Sequence, residues 1–286
     1  MLLPWFGPWP EWINFFLESC RWNKGVTWII VTDQDAPENH PDNCIFKKFS
    51  LSEYVKEISR VTGLHLEDVK PYKLCDLRPC LGEVHASDIA EYSHFGYCDL
   101  DVIFGNIRNI YRDEILLRYD AISSQADRLA GHFAVFRNSR RMRRLYRKVR
   151  GWRRDFLNPS HVGFDEGAFG SYVWRSRFRL PKRPFGPRVL FCEQFATVES
   201  TICWPPDGSA SPVRWFWSKG VLTNEDYHEQ QFLYLHFMRW QSARWRAVGS
   251  AAPWECLENV VQMDWRSASR VGFEISPKGI YQLGQE

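Results

Sequence analysis

The chain switches several times between two spacings of apolar residues, and the switches mark out its elements. Residues 27–32, TWIIVT, are an unbroken apolar and β-branched run that stops at Asp33, as a strand buried on both faces should. Ahead of it, PEWINFFLESCRW repeats its apolar residues at helical spacing, with Pro10 at a first helical position. Residues 44–49, CIFKKF, read as a second strand. Ser50 and Glu53 then form a capping box that opens a helix, and Gly63 closes it. Helical spacing returns from about Pro71 to Glu91, with a break expected near Pro79.

After that helix comes HFGYCDLDVIFG, an apolar strand carrying two aspartates. YDAISS and HFAVFRN read as strands, residues 138–154 as one basic helix, and FDEGAFGSYVW as the start of another. Beyond Pro181 the chain becomes rich in Pro and Trp, and RWFWSKG, LYLHF and VGFEISPKGIYQL are short strand candidates. Strands alternating with helices predict an α/β fold with a parallel or mixed sheet. Residues 1–180 read as its core. Residues 181–286 read as strand and helix additions on the same single domain, the alternative being a boundary at Pro181–Pro187.

Composition narrows the class. Hydrophobic residues make up 44% and charged residues 25%, which excludes a disordered chain and a collagen-like repeat. No uncharged apolar stretch reaches the roughly 18 residues of a spanning helix. The N-terminal MLLPWFGPWPEW lacks the basic start and cleavage site of a signal peptide. Eight cysteines without a C-x-x-C pair read as buried thiols of a reducing cytoplasm and argue against a zinc site.

The net charge is only +3, but it is unevenly spread. Positions 137, 140, 141, 143, 144, 147, 148, 150, 153 and 154 are all Arg or Lys, and no acid interrupts them. Met142, Leu145, Tyr146 and Val149 would form an apolar stripe on such a helix. The run reads either as a solvated helix face or as a contact for an anionic surface, a membrane or a lipid-linked phosphate. Nucleic acid is not favoured, because no nucleic-acid motif accompanies it. FMRWQSARWRAVG, mixing Trp with Arg, could add interfacial contacts.

The chemistry concentrates at Asp99 and Asp101. On a strand, residues two apart point to one side, and two carboxylates held together call for a cation. Hard oxygen ligands suit Mg²⁺ or Mn²⁺. Upstream, in PYKLCDLRP, Lys73 and Asp76 are three apart and can meet on one helical face. That pair reads as a solvated ion pair or as a helix end meeting a phosphorylated, hydroxyl-bearing ligand.

The order LPWFGPWPEW, VTD, PYKLCDLRP, GYCDLDVIFG, GHFAVFRN, FDEGAF and LYLHF resembles a family of bacterial glycosyltransferases found largely in cell-surface polysaccharide gene clusters. The likeness is strong from about residue 2 to 170. It implies a GT-A-like, Rossmann-like fold: a mixed, mainly parallel sheet flanked by helices. It implies a D-x-D motif in which Asp101 is the direct ligand of Mn²⁺ or Mg²⁺ and Asp99 sits nearer the ribose and donor sugar while sharing the metal. His236 would complete the metal site. Asp33 would meet the nucleotide, and Lys73, Asp76 and Arg78 the donor phosphates or sugar hydroxyls. His132 would line the sugar pocket. Asp165 and Glu166 would face the acceptor, one of them as catalytic base. Only Met1–Pro4 precede the Trp5-Phe6-Gly7 turn, so either the first strand is short or the native start lies upstream of Met1.

The expected partners are a UDP- or GDP-sugar donor and a glycan or lipid-linked acceptor, in the cytoplasm or peripheral to the inner face of its membrane. Two other functions compete. A nucleotidyltransferase acting on sugar phosphates would also use metal and aspartates, but its usual Gly-rich phosphate loop is missing. A non-enzymatic adaptor would use the basic run alone.

Overall fold

The computed structural model describes residues 1–176, 186–192, 212–237 and 260–284. Its main sheet takes its strands from the apolar runs: β1 (Leu2–Trp5), β2 (Trp28–Thr32), β3 (Cys44–Lys48), β4 (His94–Cys98), β6 (Ala121–Ser123), β7 (Phe133–Arg137) and β8 (Val189–Phe191), with β5 (Val102–Phe104) just outside it. The order is β3-β2-β1-β4-β7-β6-β8. Every neighbouring pair is parallel except those involving β7. The fold is therefore mixed α/β with a mainly parallel sheet.

Chain order runs outward from β1 to β2 and β3 on one side and resumes at β4 on the other. In open α/β sheets such a reversal leaves a crevice at the carboxyl ends of the two strands. Here those ends carry Trp5-Phe6-Gly7 and Cys98-Asp99. The first strand is short, four residues, yet it occupies the middle of the sheet.

Helices cover both faces. Helix α1 (Ile13–Arg21) buries Phe15, Phe16, Leu17 and Cys20. It begins later than Pro10, whose carbonyl instead accepts from Ile13 N at 3.0 Å in the lead-in turn. Helix α2 (Leu51–Thr62) has the expected capping box between Ser50 and Glu53, and Gly63 ends it at φ 73°. The 71–91 helix is not continuous. Short turns succeed one another at Pro71–Lys73, Leu74–Leu77, Arg78–Cys80 and Leu81–Val84, with Pro79 inside a 3₁₀ turn.

The single basic helix at 138–154 is also corrected. It consists of Arg140–Arg143, a 3₁₀ turn at Leu145–Lys148, and Trp152–Leu157. Gly151 sits at φ 85° between the last two, a conformation that glycine adopts without strain and that ends helical continuity. The apolar stripe survives the break, since Met142, Leu145, Tyr146 and Val149 are all buried.

Beyond the main sheet, β9 (Trp215–Ser218), β10 (Val221–Asn224), β12 (Phe273–Ser276) and β13 (Gly279–Gln282) form an antiparallel sheet of order β10-β9-β12-β13. Strand β11 (Tyr234–His236) pairs antiparallel with β5, setting His236 opposite Val102. Two of the tryptophans build this layer's core. Trp215 and Trp217 are fully buried, Trp217 stacks on Phe273 at 4.8 Å, and its indole N–H donates to Phe104 O at 2.9 Å. Phe15 of α1 meets Phe273 edge-on at 5.0 Å, so the C-terminal strands share a core with the main sheet. The boundary reading at Pro181–Pro187 and the FMRWQSARWRAVG reading lie largely outside the described residues. The described cysteines at 20, 44, 75, 80, 98 and 192 are free thiols.

Candidate functional site

The D-L-D stretch does not lie on a strand. β4 ends at Cys98, β5 starts at Val102, and Asp99-Leu100-Asp101 is the connection between them. Three contacts fix it. Asp99 N donates to His132 O at 3.0 Å, Trp12 Nε1 donates to Leu100 O at 3.0 Å, and Phe237 N donates to Asp101 O at 3.2 Å. Both carboxylates still converge, because the loop is held from three sides rather than by strand alternation.

The β5–β11 ribbon brings His236 to this loop, where its Nε2 lies 3.0 Å from Asp101 Oδ2. Ligand atoms of Asp99, Asp101 and His236 all lie within 4.8 Å of one another. The other ring nitrogen of His236, Nδ1, is buried and has no hydrogen-bond partner among the described residues. Two carboxylates and one imidazole at this spacing match the donor chemistry of Mn²⁺ or Mg²⁺.

Among the described residues, Arg78 is the cation of the crevice. It donates to Asp99 Oδ1, to Gly131 O at 2.8 Å and to Asp165 Oδ2 at 3.3 Å. It does not offset all the negative charge around it. Loss of hydration, with Asp101 adding to it, holds the Asp99 carboxyl up to about 7 although Arg78 and His236 oppose the rise. Burial likewise holds Asp165 up to about 6 against the pull of Arg78, helped by Glu166. A divalent cation would relieve this excess, so the residues fit such an ion.

Asp165 is more than a cap of the helix that follows. Residues Asp165–Phe169 form a π-type turn, a geometry frequent at functional sites, and Asp165 is buried while Glu166 is exposed. Glu166 Oε1 accepts from Gly131 N at 2.8 Å. A Cβ on Gly131 would stand 2.8 Å from that oxygen and 3.0 Å from Asp165 Oδ2, so a side chain here would push the two carboxylates out of their present positions.

The acidic loop opens into a cavity of about 310 Å³, walled by Trp5, Phe6 and Trp12 from the N-terminal segment and by Tyr72, Cys75 and Arg78 from the 71–80 turns. It lies at the carboxyl ends of β1 and β4, where the topology leaves its crevice.

Other expected residues fall elsewhere. Lys73 and Asp76 are corrected from donor ligands to an internal strut, with side-chain exposures of 1% and 0%. Lys73 Nζ donates to Asp76 Oδ2 at 2.8 Å, Asp155 O at 2.7 Å and Ser160 O at 3.0 Å. Asp76 also accepts from Val162 N at 2.8 Å and Phe164 N at 2.6 Å. Burial would raise its carboxyl, but the bonds from His161, Lys73 and these amides outweigh it and hold the group well below the carboxylate range. Asp33 accepts from Gly7 N at 3.0 Å and holds the turn after β1, outside the cavity lining. Gly7 is at φ 112° there. His132 stands behind the metal-type cluster, its ring stacked on His236 at 4.0 Å and its Nε2 2.6 Å from Tyr234 Oη.

Tyr234 is the residue that sequence reasoning missed. Its hydroxyl also meets Ser124 Oγ, so a buried chain runs from Ser124 through Tyr234 and His132 to the ring of His236. The signal was present in LYLHF, where Tyr and His two apart on a strand share a face.

Over residues 1–250 the chain matches the model of a family of unknown function, DUF6625, and it belongs to that family. No curated protein matches it. Among solved structures it is similar to the galactosyltransferase LgtC, crystallised with donor and acceptor sugar analogs. Identity is 9%, coverage is 86% of this chain and 90% of that one, and the TM-score is 0.43.

Proposed function

We propose that this chain is a metal-dependent glycosyltransferase of GT-A type that moves a sugar from a UDP- or GDP-sugar to a glycan or lipid-linked acceptor. One observation carries the reading: Asp99, Asp101 and His236 gather their ligand atoms within 4.8 Å at the β1–β4 crevice, on the wall of an aromatic cavity. In this reading Asp99, Asp101 and His236 hold Mn²⁺ or Mg²⁺. Bound there, the ion would neutralise the charge that develops on the departing diphosphate. Trp5, Phe6, Trp12 and Tyr72 offer flat apolar walls to the nucleoside, and Asp33 lies at the turn beyond them. Arg78 keeps Asp99 and Asp165 in fixed positions on either side of its guanidinium.

Asp165 is assigned as the base that takes the acceptor hydroxyl proton. A carboxyl held up near 6 is close to neutrality, where a general base works best. Glu166, exposed and bonded to Gly131 N, positions that backbone. His132 positions His236 rather than touching sugar.

The nucleotidyltransferase reading is weaker on structural grounds. The β1–α1 connection, where a phosphate loop would lie, contains only Gly7, and the Gly7 N–H is already given to Asp33. The test is calorimetric titration of Mn²⁺ with UDP or GDP into the wild type and Asp101→Asn, followed by a nucleotide-sugar hydrolysis panel. Metal-dependent nucleotide binding lost in the folded variant is the expected result. Equal affinities in the two proteins would remove the metal assignment.

A further inference from the structure

The basic run is not explained by the site, and its three-part structure shows where its charge goes. Its apolar residues Met142, Leu145, Tyr146, Val149, Trp152 and Phe156 point inward and are buried. The exposed positions from 140 to 154 are 140, 141, 148, 150, 153 and 154, and every one is Arg or Lys. Part of the run is structural: Arg144 and Arg147 pair with Glu83 at 2.9 Å, and Arg147 also donates to Val61 O and Thr62 O. Arg137 pairs with Asp120 and Arg154 with Asp155. The outer residues are left as a one-signed layer. Between 138 and 163 the only acid is Asp155, already neutralised by Arg154.

The same layer ends in apolar groups that face water. Leu157 is 49% and Val162 45% exposed, and His161 beside them meets the ring of Tyr72, itself 51% exposed at the mouth of the cavity. A solvated helix face does not need exposed Leu and Val at its end. A groove for nucleic acid would present flat rings among its cations rather than aliphatic side chains. Cations bordering exposed aliphatic groups match a phospholipid surface, with headgroup phosphates over the first and the acyl boundary under the second.

We propose that the outward face of residues 140–162 docks the protein onto an anionic lipid bilayer. Lys73 fastens this face to the site through Asp155 O and Ser160 O, so docking would hold the cavity mouth near the lipid surface. The proposal is independent of which reaction the site performs.

Co-sedimentation with phosphatidylglycerol vesicles tests it, against phosphatidylcholine vesicles and against salt. The variant Arg141→Glu/Lys148→Glu/Arg150→Glu reverses three exposed charges that hold no ion-pair partner among the described residues. The gentler Arg141→Gln/Lys148→Gln/Arg150→Gln only removes them, so it tests the surface should the first fail to fold. Each basic group near an anionic surface changes affinity roughly fivefold. The neutral triple should therefore weaken binding by about a hundredfold and the reversed triple by more. Binding should disappear on neutral lipid and at high salt. Absence of wild-type binding at low salt, or equal binding by the neutral triple, overturns the proposal. So does tighter capture by a single-stranded oligonucleotide than by anionic vesicles.

Discussion

Asp76 and Asp99 both lie in buried charge clusters joined by the same short helical segment, and the two clusters are built in opposite ways. Around Asp76 every charge is met. Lys73, two backbone amides and His161 surround it, and its carboxyl is held far below the ordinary range. Around Asp99, which is reached by Arg78 two residues along the segment from Asp76, one guanidinium faces Asp99 and Asp165 while Asp101 and Glu166 add further charge. There the carboxyls are held up, near 7 and near 6. A saturated cluster fastens structure, since its removal strands a buried partner. An unsaturated one is costly to fold, and a ligand that completed it would offset that cost. The contrast separates strut from candidate site better than residue type does, because both clusters combine Asp with basic side chains.

The largest effect should come from breaking the saturated cluster. Asp76→Ala leaves Lys73 buried without its counter-ion and frees the amides of Val162 and Phe164. It should cost about 3–5 kcal/mol in urea unfolding. Asp101→Asn, on the unsaturated side, should change stability by less than about 1 kcal/mol. Similar losses for both would erase the distinction.

The second effect falls on turnover. Asp165→Asn should lower transfer about 10²–10⁴-fold with nucleotide affinity kept, the range for a lost general base. Glu166→Gln should cost far less. If both keep near-normal rates, the acidic pair is structural and transfer proceeds with retention.

The two clusters should also titrate in opposite directions. Folded Asp165 keeps its proton up to about 6, whereas the unfolded chain releases it near 3.8. Between those values the folded state binds more protons, so the Asp165 contribution to stability falls as pH rises from about 4 to 6 and is flat above. Asp76 is depressed instead, so its contribution is full above 3.8 and is lost as pH falls below that value. Unfolding free energies of wild type and Asp165→Asn across this range should diverge in favour of the variant as pH rises, by on the order of 2 kcal/mol. Parallel curves would contradict the burial argument for Asp165.

The strands, the capped helix at 51–62 and the pairing of aspartates at 99 and 101 were legible because each is encoded locally, in apolar runs, a capping box and a short acidic spacing. The reason offered for the aspartates was wrong: they converge through a loop held by Trp12, His132 and Phe237, contacts distant in sequence. Lys73 and Asp76 were visible as a pair, but their fate was not. The groups that saturate them, Asp155 O, Ser160 O and the amides at 162 and 164, come more than 80 residues later. The basic helix failed for a different reason. An apolar stripe at helical spacing is satisfied equally by one helix or by short turns around Gly151, and periodicity does not distinguish them.

The smallest predicted effect probes how the unsaturated cluster is kept in shape. His236 makes one hydrogen bond to Asp101, and one hydrogen bond leaves a ring free to rotate about it. The His132 ring, stacked 4.0 Å away and nearly parallel at 16°, removes that freedom, and His132 is in turn held by Tyr234 Oη at 2.6 Å. Tyr234→Phe deletes this hydroxyl while keeping the ring that packs against Phe133 and Phe104. The fold should survive, and Mn²⁺ affinity measured by calorimetry should fall about tenfold, the low end of what an outer partner of a metal ligand contributes. Asp101→Asn in the same assay should lose much more. If Tyr234→Phe matches wild type in metal affinity while losing stability, the buried chain from Ser124 to His236 belongs with the Asp76 strut. The unsaturated cluster would then end at His236.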